Sequence, residues 1–456
     1  MARLTQTGID PIDLSYLAWL DSQESTRQQK YTKFRDYYEG DHATQLTARI
    51  KKFLNVDGSN EFNLNLCPVV VDSLAEKLSV SSFKTESDPD LLRQWWNLNR
   101  MDSTQMVVHL AAIRDGDGYL LVEWDNITGW PLFTHENAYD GTTGVHVVYS
   151  DERRSEPKVA VKRWTITSGV NITTRRLNLY YADRIEKYTA TGSGAWQEHH
   201  EEGQPWPIPW AGKDGSPLGI PIVHFRNKNQ GYSYGESELE DVTPLCDALN
   251  KSVVDLLGAA DTTGFQMITA TGVPSDATFM VAPGVMLRSS DPATQFGTVP
   301  PADLSGLIAV IDSFAAYIAK ITRTPLSYFQ LTGQVAAAGT LKEQRAGLIA
   351  KARKCQTVFG NAWEDAMYLA RRLYNTFGAG GLDEQAEISC EWCDDEKPEP
   401  RELAEEVELL ARAQAASTRQ KVKTLHPDWS DDDIDAETEA IRDEYALNTP
   451  EIGGLV

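Results

Sequence analysis

Lysine and arginine are in short supply in this chain. There are 43 of them against 66 aspartates and glutamates, a formal charge of −23 over 456 residues. Proteins that wrap DNA neutralise its phosphates with Lys and Arg, so the shortage argues against a basic DNA-wrapping surface. Cysteine is scarcer: Cys67, Cys246, Cys355, Cys390 and Cys393 are the whole set, with no framework spacing, which excludes a disulfide-stapled scaffold. Only Cys390 and Cys393 form a CxxC. They lie in ISCEWC, which reads as a strand, without the second pair or histidines of a zinc site, so they are read as packing. The phosphate-binding patterns GxxxxGK[ST] and GxGxxG are missing, so neither type of nucleotide cradle is expected. The opening MARLTQTGIDPIDL lacks the apolar stretch of a secretory signal. The most apolar segment, 304–322, is interrupted by Asp312 and Lys320 and is expected not to span a bilayer. An intracellular setting at synthesis, with no cofactor and no metal, is the expectation.

What is present reads as globular: 41% hydrophobic and 24% charged residues, in a chain long enough for several domains. Asp10 and Pro11 suit the start of a helix that runs to Glu39 and stops at Gly40. Further helices are predicted near 44–54, 67–79, 88–99 and 103–115. From Gly116 the period shifts to two, and GYLLVEWD, VHVVYS, KVAVKRW, RRLNLYYAD and RIEKYTA read as strands. The fold class is therefore α+β. A Pro- and Trp-rich connection leads to a strand, IPIVHFRN, and then to an apolar helix over 237–261. Residues 263–303, broken by Gly and Pro, read as a small β-rich insert. A second apolar helix at 304–322 is ended by TRTP. The longest helix, 340–377, repeats Leu341, Leu348, Ala352, Cys355, Phe359, Ala362, Ala366, Ala370, Leu373 and Phe377 on one face, and a strand at 386–393 follows it. Two helices, 400–416 and 431–446, close the chain in its most acidic part: from Cys390 onward there are nineteen acids and seven bases.

Three patterns invite a chemical reading. GYSYG, residues 231–235, fits the GxSxG nucleophile elbow with Ser233 as nucleophile. RNKNQ separates it from its strand, and the only downstream histidine is His426, so the expected role of Ser233 and Ser237 is to help start a helix. EHHEEG places His199 and His200 side by side in a strand-like stretch, where adjacent side chains diverge. Trp206 and Trp210 offer stacking surfaces but are expected to pack.

LTGQVAAAGT, 331–340, opens the longest helix with almost no side chain and no charge. It suits a phosphate cradle, a lid or a spacer, and the missing lysine removes the first. YYEGDH (37–42), NLNLCPVVVDSLAEKLSV (63–80), GDGYLLVEWD (116–125), GESELEDVTPLCDALNKSVVD (235–255) and IAKITRTPLSYF (318–329), in that order, resemble the SPP1-like (gp6-like) phage portal proteins. The resemblance covers nearly the whole chain. It implies a portal fold: an α/β wing (1–233, with 341–397), a two-helix stem (234–262 and 304–322), a β-rich clip (263–303), a tunnel loop (323–340) and a helical crown (398–456). It also implies a dodecameric ring at a capsid vertex, assembled in the host cytoplasm and not an enzyme. Through it double-stranded DNA is packaged, retained and ejected. The implied partners are the terminase large subunit, the major capsid and scaffold proteins and a head–tail adaptor, with no membrane. The channel residues implied are Gln330, Thr332, Gly333, Gln334, Gly339, Thr340, Lys342 and Arg345; clip docking falls to Phe279, Met280, Pro283, Val285 and Leu287. The loop itself carries no Lys or Arg, so Lys342 and Arg345 are expected to supply the charge that meets phosphates. A serine hydrolase built on Ser233 and a structural connector ring without DNA passage are the alternatives.

Overall fold

The computed structural model describes residues 14–42, 63–150, 156–168, 172–228, 231, 233–264, 268–272, 292–298, 304–329, 338–393, 400–413, 415–426 and 431–448. The chain divides into two units, Met1–Cys393 and Asp394–Val456.

The first unit opens with helices α1 (Leu14–Gln23) and α2 (Ser25–Glu39). The single helix expected up to Glu39 is broken at Glu24. Ser22 Oγ donates to Trp19 O and Ser25 Oγ to Ser22 O, and such local bonds compete with the helical ladder. The break gives the two helices different cores. Gly40, at φ 84°, ends α2 as expected. Asp10, Pro11 and the helix predicted near 44–54 lie outside the described residues.

Helix α3 (Cys67–Ala75) is followed by strand β1 (Val80–Thr85), then by α4 (Pro89–Leu98) and α5 (Met101–Asp115). Strands β2 (Asp117–Asp125) and β3 (Trp130–Asn137) form a hairpin. Next come β4 (Gly144–Tyr149), β5 (Pro157–Ser168), β6 (Ile172–Tyr180), β7 (Arg184–Thr191), and the short β8 (Gln197–Glu198) and β9 (Ile208–Pro209). They make an antiparallel sheet in the order β4-β5-β6-β7-β8, with β9 also paired to β7. Alternation along these strands buries both faces. Val148, Val159, Val161, Leu177 and Leu179 meet Leu17 of α1, while Val147, Ala160 and Tyr180 join the main core. Strand β10 (Ile222–Arg226) pairs with β2, completing a three-stranded sheet β10-β2-β3.

Helix α6 (Thr243–Gly264) starts six residues later than expected, because 237–242 form turns in which Ser237 Oγ accepts from Leu239 N. Strands β11 (Ile268–Thr271) and β12 (Gln295–Thr298) pair antiparallel, in keeping with a β-rich insert. Helix α7 (Ser305–Thr322) packs beside α6. By length and hydropathy alone α7 is long enough to cross a membrane, although Asp312 and Lys320 lie within it. It buries Ala315, Ile318, Ala319 and Thr322 and exposes Ile308, Val310, Tyr317 and Ile321.

Helix α8 (Ala338–Phe377) is forty residues long, about 60 Å at 1.5 Å per residue. Of its predicted face, Leu348, Ala352, Cys355, Phe359, Ala362, Ala366, Ala370 and Leu373 are buried, joined by Trp363 and Met367, whereas Phe377 at the helix end is 45% exposed. Strand β13 (Ile388–Trp392) pairs with β1, which the sequence reading had not assigned as a strand. Buried Arg371 donates to Asp383 O, Ala386 O and Thr85 Oγ1, fastening this pairing to α8. The second unit holds α9 (Pro400–Arg412), α10 (Thr418–Leu425) and α11 (Asp431–Asn448). Its middle helix was not anticipated. Ser417 caps it by accepting from Gln420 N, and Arg419 pairs with Asp435.

At the centre of the first unit, His109 is fully buried. Its Nδ1 lies 3.0 Å from Leu78 O and its Nε2 accepts from Trp363 Nε1 at 2.9 Å. Both bonds suit the neutral ring with the proton on Nδ1, and burial pushes the pKa down from 6.5 to about 3. Between those values the unfolded chain carries one proton more than the folded one, so stability falls as pH falls through this window. Urea melts of the wild type should lose about 1.4 kcal/mol per pH unit from this group across that window. His109→Gln should remove that component of the slope.

Candidate channel segment and its anchoring

Gln330, Thr332, Gly333 and Gln334 lie outside the described residues, as do Phe279, Met280, Pro283, Val285 and Leu287. Helix α8 begins at Ala338, so Gly339 belongs to its first turn rather than to the preceding loop, and Thr340 and Lys342 follow on the helix, as expected. Arg345 is exposed one turn further on.

The two flanks of this segment are tied to each other. Helix α7 ends at Arg323, a non-glycine residue at φ 57°, and Thr324 N donates back to Ala319 O. Gly347 of α8 faces that corner: a Cβ there would stand 3.5 Å from Arg323 Cβ and 3.6 Å from its carbonyl oxygen. Lys351 of α8 then makes the joint. Its Nζ donates to Thr322 O at 2.9 Å and pairs with Glu238 at 2.7 Å. Glu238 is almost fully buried and also receives Lys228 at 3.4 Å and Asn227 Nδ2 at 3.2 Å. One ammonium thus links the end of α7, the lead-in to α6 and the first third of α8. A cavity of about 490 Å³ opens beside the joint, lined by Arg226, Lys228, Arg323, Lys351 and Lys354 on its charged side and by Ile321, Val358 and Phe359 on its apolar side.

A second anchor lies deeper. The Asp117 carboxylate, fully buried at the start of β2, accepts from His224 Nε2 at 2.7 Å, Tyr31 OH at 2.5 Å and Gly235 N at 2.7 Å. Burial alone would raise its pKa, but the hydrogen bond from His224, the nearby Arg27 and the Gly235 amide outweigh it and hold the carboxyl below its usual value. Burial lowers the pKa of His224, whose Nδ1 accepts from Tyr149 OH at 2.6 Å. The result is an anionic aspartate beside a neutral histidine. Arg27 completes the group, lying over the Tyr234 ring and paired with Glu24.

Helix α2 holds the start of α6. Lys30 pairs with Glu240, Lys33 donates to Thr243, and Tyr37 donates to Asp247. Asn250, on the next turn, accepts from Leu64 N and donates to Asn63.

This geometry accounts for GYSYG without chemistry. A Cβ on Gly235 would sit 2.1 Å from Gly116 O and 2.6 Å from Asn227 O, so only glycine allows these backbones to cross. Tyr234 OH donates to Val147 O. Both nitrogens of His224 are engaged, which leaves it no lone pair for a serine. The other two patterns also resolve. His200 pairs with Glu198 at the surface, while His199 N donates to Lys187 O. Among the described residues no cluster of three His, Cys, Asp or Glu could hold a metal. Trp206 and Trp210 pack, donating to Lys187 O and Gly219 O. Sequence reading missed the Asp117 group because its members are 86 to 118 residues apart.

The family described as "Phage portal protein, SPP1 Gp6-like" matches residues 17–450. The portal protein of Mycobacterium phage D29 is 24% identical over 330 residues, which cover 66% of this chain and 63% of that one. The portal protein of Mycobacterium phage L5 is 23% identical over 333 residues, with the same coverage. The chain therefore spans somewhat under two thirds of these relatives' length. Among solved structures, a chain of the neck of a native GTA particle, computed with C12 symmetry, aligns with a TM-score of 0.46 and 15% identity. That alignment covers 79% of this chain and 89% of the other.

Two substitutions test the anchoring. Lys351→Met leaves Glu238 buried with a weaker partner and should lower stability by about 3 kcal/mol in urea melts. Adding Glu238→Gln should cost less than the sum of the two single changes. Gly235→Ala forces two backbone segments apart and should cost at least about 2 kcal/mol.

Proposed function

Because this chain belongs to the family of SPP1 Gp6-like phage portal proteins, we propose that it assembles as a closed ring, a dodecamer, at one vertex of a tailed-phage capsid and conducts double-stranded DNA. The family match over residues 17–450 carries the reading. The family is structural, and no catalytic role is assigned to Ser233.

The exposed face of α7 supports self-association. Val310, Tyr317 and Ile321, which fall on one side of the helix, are each 42–55% exposed, an apolar strip that a lone chain leaves in water. Burying one such side chain contributes about 1.5–3 kcal/mol. A ring joins unlike faces head to tail, and this strip is one such face. In this reading α6 and α7 form the stem, 263–303 is the clip that meets the terminase large subunit and then a head–tail adaptor, and the second unit is the crown. The outer wing meets capsid and scaffold proteins.

The charge balance fits a conduit. Duplex DNA carries one charge per roughly 1.7 Å, and wall acids within a Debye length of about 8 Å repel it from every side. Such a wall centres the duplex instead of gripping it. The uncharged 331–337 segment then lines the constriction as a spacer, touching DNA sterically, with Lys342 and Arg345 behind it.

Negative-stain images of the purified chain should show rings with a central hole. A stable 50.7 kDa species at micromolar concentration in sedimentation would overturn the proposal. Val310→Glu with Tyr317→Glu should dissolve the rings while circular dichroism stays unchanged. Lys342→Glu with Arg345→Glu should leave rings intact and impair DNA packaging or retention.

A further inference from the structure

Cys67 and Cys246 lie side by side in the core. Their sulfurs are 3.6 Å apart, and the residues are 179 positions apart in the chain. Both are essentially inaccessible. Cys67 begins α3, and Cys246 sits in the first turn of α6. Closing the gap to the roughly 2.05 Å of an S–S bond takes about 1.5 Å of sulfur movement.

We propose that Cys67 and Cys246 are a modification site: a dithiol that peroxide-class oxidants convert to an intramolecular disulfide joining α3 to α6. In the first step one thiolate attacks a peroxide oxygen, the O–O bond breaks, and a sulfenic acid and water form. The second thiolate then attacks the sulfenic sulfur, expelling hydroxide, which takes up a proton to leave as water. Two thiols and one hydrogen peroxide give one disulfide and two waters.

The surroundings say when this occurs. Contact with Cys246 and burial push the Cys67 thiol above its ordinary pKa, so in the closed arrangement this thiol is slow to react. Tyr37, half-buried, packs against the core cluster that contains both cysteines, and its hydroxyl is held by Asp247 at 2.8 Å. Oxidation therefore reports opening at the Tyr37–Asp247 contact, where α2 meets α6. If α6 is the stem helix proposed above, the cross-link fixes its upper end to the wing, and a particle leaving a reducing cell gains a covalent tie it lacked during assembly. That consequence rests on the portal reading; the chemistry does not.

The test uses the full chain carrying Cys390→Ser and Cys393→Ser, which removes the competing thiols of β13 and its edge. The protein is treated with hydrogen peroxide, denatured, alkylated and mapped without reduction. The expected result is loss of alkylation at positions 67 and 246 together, and a linked peptide pair that a reductant separates. Tyr37→Ala should accelerate that loss. Full alkylation of both cysteines after a treatment that oxidises Cys393 in the wild type would overturn the proposal, as would sulfinic acid at either position without a link. Ring formation is scored separately by electron microscopy, so failure of the portal reading is distinguishable from failure of the thiol chemistry.

Discussion

One buried carboxylate organises the first unit. Asp117 sits where β2 leaves α5, and removing an ionised group from water is tolerable only if its lone pairs are taken. Tyr31 from α2, His224 from β10 and the amide of Gly235 take them. None of the three donors can shift alone without stranding charge in the core. The register of β10 on β2, the azimuth of α2 and the path of the chain towards α6 are therefore one decision. The second joint, Lys351 with Glu238, repeats the arrangement nearer the surface and brings in α7 and α8. Between them the two joints connect α2, β2, β10, the lead-in to α6, the end of α7 and α8.

Close backbone contact is the second constraint. Gly116 and Gly235 pass each other at distances that exclude any side chain, which places the Asp117 carboxylate against the Gly235 amide. A serine flanked by two glycines looks like a catalytic turn when only the letters are seen. Here the second glycine answers to steric crossing, and the tyrosine between serine and glycine answers to a hydrogen bond with β4. The chain could not have used alanine at 235 whatever its function.

How far the sequence was legible follows from the range of each interaction. The forty-residue α8 and the alternating strands β4 to β7 were readable because their apolar periodicity is local. Gly40 marked the end of α2 for the same reason. The break at Glu24 was not readable, since it depends on which core each half-helix meets. Strand β1 was missed because its partner lies about 300 residues away, and β3 because no reading tested TGWPLFTHEN as the return of a hairpin. The channel residues came from resemblance alone; nothing in their spacing distinguishes a constriction from any other small-residue segment. Glu238 and Lys351 carry no local signal of their pairing, which only the fold brings about.

Helix α8 is also a mechanical object. One end is gripped by the aromatic rings of Trp95, Trp124 and Trp130, which meet Tyr374, and of Trp210, which meets Phe377. Towards its other end Gly347 and Lys351 hold the same rod again, against Arg323, Thr322 and Glu238. The two grips stand about 35 Å apart at 1.5 Å per residue. A rod held at two separated points works as a strut: it resists tilting at either grip, and a push on the turns that begin at Ala338 is carried along it as compression to the aromatic end.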